Sequence, residues 1–200
     1  EPLPDINPPP ASCVDDGRVP PQNWIREENA DIEDTSKETL TWLSMFGGLS
    51  GFTFPRGRAR DVRIRPNRYV AFSFNTGTAG AFGSLTISDP SAAITLPRAP
   101  VLISFSECPG DFKPQQGSLA ACRRPTVGGL AVSSFAWTRD PSESSFRCLL
   151  PENEDYYLNV THTTAASWDV ENPEQLEWEC DPDEPNTACL TRLEPITVFQ

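Results

Sequence analysis

From residue 52 onward, hydrophobic and polar positions alternate with a period of two, which is the signature of strands with one buried face. Val62 and Ile64 alternate with Arg63 and Arg65. Val70, Phe72 and Phe74 alternate with Ala71 and Ser73, and Leu85 and Ile87 with Thr86 and Ser88. Val101, Ile103 and Phe105 share one parity, as do Ala131, Ser133, Phe135 and Trp137. Tyr156, Leu158, Val160 and His162 form another such row, and the chain closes with Ile196 and Val198. Turn-forming residues separate these runs, at Pro66-Asn67, Asn75-Thr76-Gly77, Asp89-Pro90, Pro109-Gly110, Gly128-Gly129 and Asp140-Pro141. About seven or eight short strands at this spacing predict a two-sheet antiparallel β-sandwich. Alternation, in place of continuous apolar runs, argues against a parallel sheet buried on both faces.

Ahead of the strands the pattern changes. Residues 24–49 carry the one helical signal. Asp34 or Thr35 would cap a short helix over Ser36–Phe46 with Leu40, Leu43 and Phe46 on its apolar face, and Gly47-Gly48 would end it. Residues 1–23 hold seven prolines and no apolar period, which predicts an extended arm. The expected organisation is therefore arm (1–23), short helical lead-in (24–49) and β-sandwich (50–200).

Composition narrows the class. The chain has 200 residues, 38% hydrophobic, so one core-forming domain is expected. Its 21 prolines oppose long helices. A net charge of −12 argues against nucleic acid and anionic lipid as partners, and no apolar run is long enough to span a membrane as a helix. The chain begins with Glu and shows no basic, then apolar, leader, so it reads as a mature or trimmed chain. Cys13, Cys108, Cys122, Cys148, Cys180 and Cys189 include no C-x-x-C pair, and His162 is the sole histidine. Disulfides fit better than structural zinc, which places the chain outside the cell, at the cell surface or in a periplasm. Spacing does not choose the pairing. Cys180–Cys189 ranks first as a local bridge and Cys108–Cys122 second, which leaves Cys13–Cys148.

Four groups of residues are candidates for function. Arg56, Arg58, Arg60, Arg63, Arg65 and Arg68 form a basic stripe within an acidic chain. It suits an anionic glycan or the acidic face of another copy, and equally a strand face paired with the chain's own acids. Asp181, Asp183, Glu184 and Asn186 offer oxygen ligands for calcium, but the order is not that of an EF-hand and Pro182 and Pro185 stiffen the loop. Trp168 and Trp178 sit in acidic surroundings and would stack on sugar rings or bury in a subunit contact. His162 stands without a nucleophile motif, and on the apolar parity of its strand a structural role is expected. Asn159-Val160-Thr161 matches a glycosylation sequon, but within a strand.

The elements Cys108-Pro109-Gly110-Asp111-Phe112 and Tyr156-Tyr157-Leu158-Asn159-Val160, with Cys122, Trp137 and Cys148 between them, carry a resemblance. Over about residues 42–162 the chain is similar to uncharacterised secreted bacterial β-sandwich proteins. The resemblance implies export and disulfides at Cys108, Cys122 and Cys148; if Cys108 pairs within that pattern, its partner is Cys122 or Cys148. It implies no activity. The leading expectation is an exported, non-enzymatic protein that binds a surface partner or assembles with itself, as a fibre or surface-layer subunit. Its contact candidates are the arginine stripe, the N-terminal arm and the terminal strand Ile196–Phe199. A carbohydrate-binding module, with calcium as its cofactor, is the alternative. A hydrolase using His162 or paired acids is the third reading.

Overall fold

The computed structural model describes residues 12–13, 25–26, 46, 59–64, 68–76, 82–88, 101–113, 119–125, 132–163 and 190–198. The period-two runs become strands because their apolar sides are removed from water together. The strands are β1 (Ile25–Arg26), β2 (Arg60–Arg63), β3 (Arg68–Asn75), β4 (Phe82–Ser88) and β5 (Leu102–Ser106), then β6 (Arg123–Pro125), β7 (Val132–Thr138), β8 (Cys148–Leu149), β9 (Asp155–Thr161) and β10 (Leu190–Val198). A single turn of helix, α1 (Leu119–Cys122), leads into β6. One five-stranded sheet, sheet A, has the order β1-β3-β9-β5-β6, and the other, sheet B, has β2-β10-β4-β7-β8. Pairing is antiparallel except at two short margins, β1 on β3 and β7 on β8.

The two sheets face each other across one core. Sheet A contributes Val70, Phe72, Phe74, Ile103, Phe105, Leu158 and Val160; sheet B contributes Val62, Leu85, Ile87, Phe135, Trp137 and Leu193. Phe105 is the junction: its ring stacks on Phe135 at 4.8 Å and meets Trp137 and Phe74 edge-on at 5.6 and 5.7 Å. The mainly antiparallel sandwich expected from the alternation is therefore the architecture observed.

Several local expectations change. Ile25–Arg26, within the stretch read as helical, is a strand on the β3 margin. Of the helix expected over Ser36–Phe46, only Phe46 lies among the described residues; its backbone is helical and its ring packs against Phe72 at 6.0 Å. In the Pro-rich arm only Ser12 and Cys13 are described. β10 begins at Leu190, earlier than the row of Ile196 and Val198 suggested, and pairs with β2 over Leu190–Leu193 and with β4 over Arg192–Val198. The end of the chain through Val198 is thus a ladder strand of sheet B.

The cysteine pairing differs from both expected bridges. The bonds are Cys13–Cys108 and Cys122–Cys148, not Cys108–Cys122 and Cys13–Cys148. The cause is the side of sheet A on which each sulfur lies. Cys122 belongs to the core between the sheets, where it reaches Cys148 of β8. Cys108 follows β5 on a loop that folds over the outer side of sheet A, where it bonds Cys13. Cys122–Cys148 therefore ties an edge of sheet A to the facing edge of sheet B. Cys13–Cys108 ties the N-terminal segment to the outer loop. The Cys180–Cys189 pairing lies outside the described residues.

Candidate functional site

All five residues of β5 are buried, including Leu102, Ser104 and Ser106, whose parity points away from the core. The cover is the Cys108–Phe112 segment. After Ser106 the chain reverses at Pro109-Gly110, with Gly110 at φ 75°, a conformation that costs glycine least because it has no Cβ. The returning loop is held from below by Asn159, which points outward from β9 and is fully buried. Asn159 Oδ1 accepts from the Gly110 backbone N–H at 2.8 Å. Its Nδ2 donates to Ser106 Oγ at 2.7 Å and Ser104 Oγ at 3.1 Å, with a longer contact to the Asp111 carbonyl at 3.4 Å. Ser104 Oγ donates to the Asp111 carbonyl and Ser106 Oγ to the Cys108 carbonyl, both at 2.6 Å. Phe112 then seats its ring edge-on to Tyr69 at 6.5 Å, over Ala71 and Leu102.

The two sequence elements that carried the resemblance are thus one structural unit. Its hydroxyls and amide are engaged in holding the loop. A buried network saturated in this way gives rigidity and a defined loop conformation. It also decides the sequon: Asn159 is 0% exposed and its amide nitrogen is engaged, so a glycan there is incompatible with the fold.

The margin of sheet A beside this unit is secured by Arg26. Its Nη2 donates to the Ala71 carbonyl at 3.1 Å and its guanidinium lies 5.9 Å from the centroid of the Tyr157 ring. Together with Cys13–Cys108, this places N-terminal residues on the outer side of sheet A.

The arginine stripe does not form one strand face. Arg60 and Arg63 belong to β2 of sheet B, and Arg68 opens β3 of sheet A. Val62 and Ile64 are fully buried between them, as alternation required. Asp61 of β2 pairs bidentately with Arg192 of β10, at 2.7 and 2.9 Å. Arg56, Arg58 and Arg65 lie outside the described residues, as do Trp168, Trp178, Asp181, Asp183, Glu184 and Asn186. Among the described residues no cluster of His, Cys, Asp and Glu has the arrangement of a metal site, and no helix is long and apolar enough to cross a membrane. His162 follows β9, is 3% exposed and has Nε2 3.3 Å from Thr191 Oγ1 of β10, a contact between the two sheets.

The sequence reading passed over the loop from β7 to β8. Asp140 caps a 3-10 turn over Pro141–Glu143, its Oδ1 accepting from the Ser142 N–H at 2.8 Å. The hydrogen bonds to Ser142 hold the Asp140 carboxyl below its ordinary range. Glu143 accepts from Thr138 Oγ1 at 3.0 Å and pairs with Arg147 at 2.8 Å, while the Phe146 and Arg147 N–H groups donate to the Glu143 carbonyl. This scaffold holds Phe146 in solvent at 63% exposure, with the Arg147 guanidinium 5.6 Å from its ring centroid. Phe146 is the one exposed large hydrophobic side chain among the described residues. The signal that marked the region was Asp140-Pro141, read only as a turn.

The turn at 151–154 is tied to the same end of the molecule. Thr76 Oγ1 donates to the Pro151 carbonyl at 2.6 Å and accepts from the Glu154 N–H at 3.0 Å. Arg139 donates to the Thr76 carbonyl at 2.7 Å and pairs with Glu152 at 2.9 Å. Asn153 takes φ 57°, which asparagine tolerates better than most residues. Just beyond, burial pushes the Tyr156 phenol up to about 12, with the carboxylates of Glu107 and Glu154 adding to the shift. An unfolded tyrosine ionises near 10. The fold thus favours the neutral phenol, and this contribution is complete below about pH 10 and is lost as pH rises towards 12. In a titration followed by the phenolate signal of Tyr156, this residue should ionise late, in step with alkaline unfolding. Ionisation of Tyr156 near 10 while the fold persists would contradict this environment.

No family model matches the chain, no curated protein matches it, and no solved structure matches it.

Proposed function

We propose that this chain is an exported, non-enzymatic protein that works at the cell surface or outside the cell by binding or self-assembly. The observation that supports the compartment is the pair of disulfides, one across the two sheets and one over the outer loop. Such bonds persist where the surroundings are oxidising. A binding role is supported by how the polar side chains are used. Ser104, Ser106 and Asn159 hold a loop, and the sole histidine is packed against Thr191 within the fold. By contrast, the rigid β7–β8 loop presents an aromatic ring to solvent, as a contact surface does.

Size-exclusion chromatography with light scattering, followed by negative-stain microscopy, tests the assembly. The expected result is a mass that rises with protein concentration and falls with added salt. A strict monomer at every concentration and ionic strength would remove self-assembly.

A further inference from the structure

At one end of the sandwich the loops of both sheets interlock into a single rim. β3 and β7 end there at Asn75 and Thr138, and β9 begins there at Asp155. The Thr76 N–H donates to the Glu154 carbonyl and the Leu150 N–H to the Thr138 carbonyl, both at 2.9 Å, while Arg139 joins Thr76 to Glu152. Residues 139–155, which supply most of the rim, hold five acids (Asp140, Glu143, Glu152, Glu154, Asp155) against two arginines, a formal −3. Both arginines are engaged within the rim, Arg139 with Glu152 and Arg147 with Glu143. Asp140, Glu154 and Asp155 are exposed. Asp140 caps its own loop and Asp155 accepts from Asn75 Nδ2 at 2.9 Å, but no cation meets any of the three among the described residues. Phe146 stands on the same rim with 63% of its surface open.

The geometry points to a docking site for a basic segment of a partner protein on this rim, with Phe146 as its anchor and Asp140, Glu154 and Asp155 as its acceptors. This rests on the binding reading and supplies its surface and the chemistry of the partner. The occupant follows from the charge: three exposed carboxylates without a counter-cation attract cations and repel an anionic glycan or an acidic protein. An arginine or lysine side chain also matches the phenyl, because its aliphatic stem covers the ring while its head meets the ring face or a carboxylate. The ring already takes a guanidinium within the chain, that of Arg147, 5.6 Å from its centroid. The loop is braced by Asp140, Thr138 and Glu143, so little conformational freedom is lost when it binds.

The probe is a synthetic peptide of alternating arginine and leucine, with a glutamate–leucine peptide of equal length as its control. Amide shifts of the isotope-labelled chain locate the binding, at low and high salt. The expected result is a set of shifts at residues 139–147 and 151–155 with the basic peptide alone, weakened by salt. Phe146→Ser should weaken binding by about tenfold or more. Glu154→Gln/Asp155→Asn should weaken it at low salt and flatten its salt dependence. All three positions are exposed, and near-ultraviolet circular dichroism confirms that each variant is folded. Shifts centred on the acid-rich stretch 169–184, equal binding of the control peptide, or unchanged affinity in both variants would overturn this site and leave a binding role elsewhere. Rim shifts that grow with the concentration of the chain alone would make a second copy the occupant and overturn the basic partner. A chain that neither shifts with the peptide nor associates with itself would overturn the binding reading as well.

Discussion

Serine at both Cys13 and Cys108 should lower the stability of the fold by about 4–5 kcal/mol. The bridge closes a sequence separation of 95 residues, so removing it restores a large loop entropy to the unfolded chain. Cys122–Cys148 spans only 26 residues, and the same reasoning gives about 3–4 kcal/mol for its loss. Denaturant unfolding of the two double-serine variants measures both. The order matters more than the absolute values. A Cys122–Cys148 deletion that costs more would mean that inter-sheet packing near β6 and β8, and not chain entropy, controls the effect.

Asn159→Leu should cost about 3–4 kcal/mol. It removes the amide that joins Ser104, Ser106 and Gly110, and it leaves the Gly110 N–H buried without an acceptor. Its second signature is local. Hydrogen exchange at residues 108–113 should accelerate while exchange in β4 and β7 changes only with global stability. Cys108 lies in the same loop, so the Asn159 and Cys13/Cys108 changes should not add: the combined variant should lose less than the sum. Full additivity would show that the disulfide and the asparagine hold the loop independently.

Much of the fold was legible in the alternation. Val70, Phe72 and Phe74, Leu85 and Ile87, Phe135 and Trp137, and Tyr156, Leu158 and Val160 are buried on the side their parity indicated. What alternation cannot show is how the outer face of a strand is covered. Ser104 and Ser106 look like solvent positions until the Cys108–Phe112 loop, a separate piece of chain, is laid over them. The cysteine pairing failed for the same reason. Nearness in sequence favoured Cys108–Cys122, but one sulfur lies outside sheet A and the other inside it. β1, β6 and β8 have two or three residues each, too few for a period. In β10, Pro195 obscured a strand that begins at Leu190; pairing with β2 stops at Leu193, ahead of a residue with no N–H for the ladder.

The arginine stripe is a concentration of charge along the sequence, but Pro66-Asn67 already marked the point at which it divides. β2 goes to one sheet and β3 to the other. Phe146 was hidden because a lone aromatic in a serine-rich turn has no pattern, and its exposure follows from the hydrogen bonds of Asp140 and Glu143 around it. The short outer strands also bear on assembly. β1, β6 and β8 offer little backbone for strand addition, and β2 has only four residues. Under the proposed self-assembly, contacts between copies would therefore run through side chains and loops more than through edge pairing.

The most direct test of a sandwich stapled on two sides of sheet A is a disulfide map of the protein as isolated, by mass spectrometry of a non-reduced digest. The expected result is Cys13 linked to Cys108 and Cys122 linked to Cys148. A Cys108–Cys122 link would contradict the placement of the two sulfurs on opposite sides of sheet A, and free thiols at these four positions would contradict the proposed oxidising compartment.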